Sequence, residues 1–317
     1  MRAVFLDYDT VSAGDLDTSS LTRVMPGLQF HGMTSDADIG PRVAGAGIVI
    51  LNKCVLTRDV LRGAKDLKLV ALAGTGTDNV DLAAAAELKI GVCNVRGYCT
   101  QAVMQQVWAM VLGLTQHLTE YTVLAKDGSW VRNEERTVLA HPIRELSGRT
   151  FGIVGWGELG RAAAKGAEAF GMRVVVANRP GGAREAGRVD LDALLAMSDV
   201  VSLHCPLTTA TRGLIGAKRL ALMKPDALLI NTARGGLIDG HALAAALKAG
   251  RLGGAGIDVL PQEPPVDGDP LLDPDIPNLL LTPHVAWAAS EARQRCIDEI
   301  AANVQDFLGG GRRARVV

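Results

Sequence analysis

The sequence has almost no net charge: 33 Lys and Arg against 34 Asp and Glu give −1 over 317 residues. That balance offers no electrostatic attraction to nucleic acid or to an anionic membrane, and neither is expected as a partner. Cysteine is sparse. Cys54, Cys93, Cys99, Cys205 and Cys296 form no CxxC pair and no zinc-ligand spacing, so no metal site is expected. An odd, dispersed set points to free thiols in a reducing compartment, and the protein is expected to be cytoplasmic. No uninterrupted apolar run approaches the roughly 20 residues of a membrane-spanning helix. Near the start, Asp7 and Asp9 fall where a signal peptide needs its apolar segment. Internal repeats and low-complexity tracts are missing too. Only residues 309–315, three glycines with Arg312, Arg313 and Arg315, look loose, and they are expected to be a frayed end.

What is present is an ordinary soluble composition, 48% apolar and 21% charged, organised as short β-rich runs alternating with helical stretches. RAVFLD, GIVIL, KLVALA and IGVCNV form a first series of strands. A second follows: TFGIVG, MRVVVAN, DVVSLH, ALLIN, GAGIDV and NLLLTP. Between them a helical pattern starts near Thr100, with Val103, Val107, Val111, Leu114 and Leu118 on one face and Thr100 placed to cap it. Alternation with near-continuous apolar strands predicts an α/β fold of two doubly wound domains with parallel sheets. The break at KDGSW favours a domain boundary near residue 128, the capped helix one near residue 100.

Residues 150–160 read TFGIVGWGELG, placing Gly155-x-Gly157-x-x-Gly160 between a strand and a helical segment that leads into a second strand. In that context the pattern predicts a dinucleotide site. Gly155 makes the turn, Gly157 lets the backbone approach a pyrophosphate, and Gly160 lets helix and sheet pack closely. The helix N-terminus, with Glu158 and Leu159, supplies unpaired N–H groups to the phosphates. At the end of the next strand, where an acid would hold the adenosine ribose, stand Asn178 and Arg179. A neutral Asn with an Arg accommodates a 2′-phosphate, so the cofactor is NAD(P), with neither form excluded.

Three polar residues follow successive strands of the second series: Arg234 in NTARGG, Glu263 in LPQEPP and His284 in TPHVAW. In open parallel sheets ligands bind outside the carboxyl ends of the strands, so these three are expected to converge. Hydride transfer to a 2-keto acid needs a planar cation to hold the carboxylate and polarise the carbonyl, a role suited to Arg234. It needs an acid to protonate the developing alkoxide, suited to His284, and a carboxylate to orient that histidine, suited to Glu263. Asp258 is expected either to hold the nicotinamide carboxamide or to act as a buried structural acceptor.

These pieces resemble the D-isomer-specific 2-hydroxyacid dehydrogenase family over nearly the whole chain. The matching segments are GTGTDNVDL (74–82), GIVGWGELG (152–160), HCPLTTATRGLI (204–215), INTARGGLID (230–239), GIDVLPQEPP (256–265) and TPH (282–284). LNKCVL (51–56) and AGTGTDNVD (73–81) are most similar to the glycerate dehydrogenase or hydroxypyruvate reductase group. The resemblance implies that Thr75 and Gly76 offer backbone N–H groups to the substrate carboxylate. It also implies that Cys205, Pro206, Thr211, Thr232 and Ala233 line the cofactor. It further implies a Rossmann-type cofactor domain, 99–286, inserted into a flavodoxin-like substrate domain, 1–98 with 287–317, and a homodimer formed around the linking helix. Two departures stand out: AVMQQVWAM replaces a Glu-His pair of many members, and after His284 the sequence Val-Ala-Trp places bulky Trp287 where many have a small or hydroxylated residue. A dinucleotide-sensing regulator or corepressor on the same fold, or a phosphite-type dehydrogenase, is the competing reading.

Overall fold

The computed structural model describes residues 1–132 and 136–317. The chain divides into two compact units, Met1–Cys99 with Trp287–Val317, and Thr100–Ala286.

In the first unit the strands β1 (Ala3–Phe5), β2 (Gln29–Phe30), β3 (Ile48–Leu51), β4 (Leu69–Leu72) and β5 (Gly91–Cys93) form one parallel sheet in the order 2-1-3-4-5. That order is flavodoxin-like. The helices between them are α1 (Ser19–Val24), α2 (Asp36–Val43), α3 (Arg58–Gly63) and α4 (Leu82–Glu87). Thr57 and Asp81 cap α3 and α4 by accepting the N–H of Val60 and Ala84. Val4, Val49, Val70 and Val92 are completely buried, as branched side chains of a sheet covered on both faces should be. β2, only two residues long at the sheet edge, left no pattern in the sequence.

The C-terminal helix, Ser290–Leu308, packs against α1 and β4 of this unit. The segment beyond it is not the frayed end its composition suggests. Val92 N–H donates to the Val317 carbonyl and Val316 N–H to the Val92 carbonyl, and Arg315 bridges antiparallel to Cys93. Arg313 is held by Glu299 at 2.7 Å and by Asn303 at 3.2 Å. Backbone pairing to the exposed edge of β5 overrides the glycine content.

The second unit begins with α5 (Thr100–Thr115), α6 (Leu118–Lys126) and α7 (Ser129–Arg132). Its sheet follows with β6 (Thr150–Val154), α8 (Glu158–Ala169), β7 (Arg173–Val176), α9 (Leu191–Met197), β8 (Val200–Leu203) and α10 (Ala217–Leu220). It closes with β9 (Leu228–Asn231), α11 (Gly240–Lys248), β10 (Gly254–Ile257) and β11 (Leu279–Leu281). The six strands are parallel and ordered 11-10-9-8-6-7. A one-residue parallel bridge from Val189 to Ala177 continues the sheet beyond β7. With it, the unit's own strands run 3-2-1-4-5-6-7, the dinucleotide-binding order with one strand added.

The periodicity over 103–114 is that of α5, whose Val103, Val107, Val111 and Leu114 are buried. Leu118 does not continue it. His117 turns left-handed at φ 47°, and Leu118, 62% exposed, starts α6. Thr100 is itself the first helical residue, and its hydroxyl bonds the Glu158 carboxylate.

Candidate functional site

The glycine turn is built as its spacing demands. Gly155 has φ +107°, and a Cβ there would lie 2.5 Å from the His204 carbonyl carbon. At Gly160 a Cβ would fall 2.1 Å from the Gly155 carbonyl oxygen, so turn and helix touch only because both side chains are absent. Gly157 differs: its φ is an ordinary −82°, and a Cβ would meet nothing within 4 Å. It is the N-cap of α8 without a side-chain cap, and the N–H groups of Glu158 and Leu159 beyond it donate to no group among the described residues. The backbone therefore opens on unfilled space with donors pointing into it.

Beneath this turn, His204 follows β8 directly, with Nε2 2.9 Å from Ser202 Oγ, while Nδ1 is buried without a partner among the described residues. Burial pushes this imidazole down to about 4, so it stays neutral. Burial likewise pushes the Cys205 thiol up to about 11, leaving an inert side chain. Thr211 spends its hydroxyl inside its own loop, donating to the Pro206 carbonyl at 2.7 Å and accepting the Thr208 N–H at 2.7 Å. It shapes the Cys205–Pro206 turn.

The register of the second sheet sets the other half of the site. Asn231, Ile257 and Leu281 lie side by side on β9, β10 and β11, so the chains leaving them emerge from one edge. Asn231, completely buried, ties the first of these turns: its Nδ2 donates to the Arg234 carbonyl at 2.9 Å and its Oδ1 accepts the Ala233 N–H at 3.0 Å. Arg234 Nη1 donates to the Ala233 carbonyl at 2.8 Å. A Cβ on Gly235 would lie 2.0 Å from the Leu260 carbonyl carbon, so this turn packs directly on the one carrying Glu263. Glu263 accepts the Leu260 N–H at 2.9 Å through Oε1, and its Oε2 bonds His284 Nδ1.

His284 has φ +57°, rare for a residue with a Cβ. Asp258, only 1% exposed, holds it there. Its carbonyl accepts the His284 N–H at 2.7 Å, and its carboxylate accepts Val285 N–H at 3.0 Å, Ala286 N–H at 2.9 Å and the Thr282 hydroxyl. Gln106 of α5 donates to Thr282 Oγ1 at 3.2 Å.

A catalytic-type histidine backed by a carboxylate, beside an arginine and a glycine-rich phosphate cradle, is matched by comparison with known proteins. Residues 108–286 match the family model described as the D-isomer specific 2-hydroxyacid dehydrogenase, NAD binding domain. The chain belongs to this family. A glycerate dehydrogenase of Methylorubrum extorquens is 44% identical over 98% of this chain and 96% of its own length. A hydroxypyruvate reductase of Blautia hydrogenotrophica is 34% identical over 98% of each chain. The solved TT0316 protein of Thermus thermophilus superimposes with a TM-score of 0.87 at 36% identity over the whole of both chains.

The dehydrogenase is thus an NAD(P)-dependent enzyme that interconverts a 2-keto acid and its D-2-hydroxy acid. Its second unit fits the dinucleotide on three counts: open space at Gly157, free donors at α8, and Thr232 Oγ1, buried without a partner among the described residues. At the adenosine end, Asn178 is already engaged: Nδ2 donates to Asp190 at 3.1 Å and Oδ1 accepts the Glu185 N–H at 3.0 Å. Arg184 pairs with the same Asp190 at 2.7 Å. An open cavity of about 500 Å³ lies beside these residues. The Arg179 side chain makes no hydrogen bond or ion pair among the described residues.

Thr75 and Gly76 belong to the first unit. Thr75 Oγ1 donates to the Val95 carbonyl at 2.7 Å and the Thr75 carbonyl accepts Asn94 Nδ2 at 2.7 Å, while the N–H groups of both residues donate to nothing among the described residues. Trp287 rests edge-on to Tyr98 with ring centroids 6.5 Å apart. The residues that hold the site, Asn231 and His204, escaped sequence reasoning. A polar residue closing an otherwise apolar strand, as in ALLIN and DVVSLH, was the available signal. Among the described residues no group of His, Cys, Asp and Glu is arranged to hold a metal ion, and no helix is long and apolar enough to cross a membrane.

Proposed function

We propose that the enzyme reduces hydroxypyruvate or glyoxylate to D-glycerate or glycolate, with Arg234, Glu263 and His284 as the catalytic set. The hydrogen bond from His284 Nδ1–H to the Glu263 carboxylate carries this reading. It orients the imidazole, with Nε2 as the nitrogen that gives the proton. When bound, the reduced nicotinamide supplies a hydride to C2 of the keto acid. Arg234 holds the carboxylate and polarises the carbonyl, His284 protonates the oxygen as charge develops on it, and Glu263 stabilises the charged imidazolium. Thr75 and Gly76 N–H groups take the substrate carboxylate. Gly155, Gly157, Glu158, Leu159, Gly160, Cys205, Pro206, Thr232 and Ala233 hold the dinucleotide, in a cofactor domain inserted into the substrate domain. The names of the relatives, glycerate dehydrogenase and hydroxypyruvate reductase, favour the short, hydroxylated substrate.

We also propose a cytoplasmic homodimer. Leu118, Val123, Trp130 and Val131 of α6 and α7, with Leu139 and Ile143 after them, are each more than half exposed, an apolar surface suited to a second copy. The five cysteines are all free thiols, which suits a reducing compartment. Light scattering at a dimer's mass supports the assembly, and a monomer overturns it.

The deciding experiment is a panel of hydroxypyruvate, glyoxylate, pyruvate, phenylpyruvate and phosphite (the last with oxidised cofactor), each run with both nicotinamide cofactors. Highest kcat/KM on hydroxypyruvate or glyoxylate is expected. Preference for phenylpyruvate or phosphite defeats the proposal.

A further inference from the structure

The first sheet changes direction between β1 and β3, and in such sheets the carboxyl-end crevice at that point is where ligands bind. The loop leaving β3 there is clamped from both sides. Buried Asp7, two residues beyond β1, accepts the N–H of Asn52 at 2.8 Å, Lys53 at 2.6 Å and Cys54 at 2.8 Å. Asn79 Nδ2 donates to the carbonyls of Asn52 and Cys54, each at 3.0 Å. With donors and acceptors both tied, the loop presents its side chains from a fixed base.

One of them has a defined polarity. Asn52 Nδ2 lies 2.9 Å from Thr10 Oγ1 and 3.3 Å from the Thr10 carbonyl. The Thr10 hydroxyl has committed its proton to the Asp7 carbonyl at 2.6 Å, so both Thr10 oxygens face Asn52 as acceptors. Only the NH₂ end of the amide can point there. Asn52 Oδ1 is therefore the outward branch, and it accepts no hydrogen bond among the described residues. It stands beside Gly74: a Cβ on that glycine would lie 4.0 Å from Asn52 Oδ1 and 3.8 Å from the Tyr98 hydroxyl. The next two residues are Thr75 and Gly76, with their undonated N–H groups.

We propose that Asn52 is a specificity residue whose Oδ1 accepts the hydroxyl on C3 of the substrate; this rests on the reading that the keto-acid carboxylate sits on Thr75 and Gly76. C3 is then two bonds from an anchored carboxylate carbon, and the missing side chain of Gly74 leaves room for a hydroxymethyl group. Pyruvate brings a methyl group and leaves a fixed acceptor without a donor, a strong basis for rejection. A C3 phosphate sets anionic oxygens against the same lone pairs. The preorganisation comes from Thr10 and Asp7, neither of which needs to touch the substrate.

The test compares kcat/KM for hydroxypyruvate, pyruvate and glyoxylate in wild type, Asn52→Ala and Thr10→Val, with melting curves alongside. Asn52→Ala should lower the hydroxypyruvate-to-pyruvate ratio about tenfold or more. Thr10→Val, which frees the amide to rotate, should lower it by roughly threefold. A wild type that prefers hydroxypyruvate, with the ratio unchanged in both variants, overturns the role of Asn52 and leaves the functional reading standing. A wild type with no preference for hydroxypyruvate over pyruvate overturns the role of Asn52 as well, and the functional reading falls with it only where glyoxylate too is no better than pyruvate. If Asn52→Ala shows no cooperative melt, the ratio in Thr10→Val decides.

Discussion

Asp258 holds His284 by the backbone on both sides of the catalytic-type ring: its carbonyl takes the His284 N–H, and its carboxylate takes the N–H groups of Val285 and Ala286. The left-handed φ of +57° at His284 persists because these bonds over-determine it. The sequence allowed Asp258 two roles, and three of the four lone-pair positions on its carboxylate are occupied by the loop.

Asp258→Asn places an NH₂ group against at least one of those donors, so the loop must move. Because a misplacement of about 1 Å costs roughly 10²-fold in rate, kcat should fall on that order while NADH affinity changes much less. Turnover and fluorescence titration of NADH measure the two separately. A larger loss in NADH affinity than in kcat would return Asp258 to the cofactor role.

The glycines of the turn should separate fold from binding. Gly155→Ala combines φ +107° with a Cβ driven into the His204 backbone, and a cost of several kcal/mol, about 2–4, is expected in denaturant unfolding. Gly157→Ala meets no protein atom and sits at an ordinary φ, so its melting curve should match wild type. Its methyl group instead enters the space assigned to the pyrophosphate, and NADH titration should show a weakening of about tenfold or more. A destabilised Gly157→Ala variant, or one that binds NADH normally, contradicts that assignment.

These contrasts mark how much was legible beforehand. Among the described residues, ten of the eleven strands announced themselves as apolar runs, and GxGxxG declared its turn because close approach can be met only by glycine. What stayed hidden depends on partners distant in sequence. The arginine-rich tail looks loose until β5 gives its backbone an edge to pair with. Leu118 keeps the helical spacing, yet the left-handed His117 before it breaks the helix, a choice that local propensity does not reveal. Asn178 has the chemistry to meet a phosphate, whereas Asp190, twelve residues on, already receives its amide.

His204 predicts a pH dependence of stability. Its folded value of about 4 lies below the ordinary 6.5, so the folded chain keeps a neutral ring where the unfolded chain is protonated. Its contribution is complete above pH 6.5 and is lost as pH falls toward 4, a decline on the order of 3 kcal/mol. His31, lowered chiefly by burial, acts with the same sign, so the comparison must be made with a single variant. In urea melts between pH 4 and 7, His204→Gln should show a shallower slope than wild type. Identical slopes mean that the ring is hydrated or gains a partner on protonation.

Arg179 should discriminate between the two cofactors. Its side chain follows β7 without a hydrogen bond or ion pair among the described residues, while Asn178 beside it is bound to Asp190. Hydrogen bonds to charged groups contribute about 1.5–3 kcal/mol, so Arg179→Ala should weaken NADPH by roughly 10- to 100-fold and leave NADH within about twofold. Fluorescence titration with each dinucleotide reads this without turnover, and 2′,5′-ADP against 5′-AMP isolates the phosphate. Arg179→Lys should recover part of the loss, since a point charge still attracts the phosphate but cannot engage it bidentately. Equal weakening of NADH and NADPH would assign Arg179 to stacking on the adenine, where charge at the 2′ position does not matter.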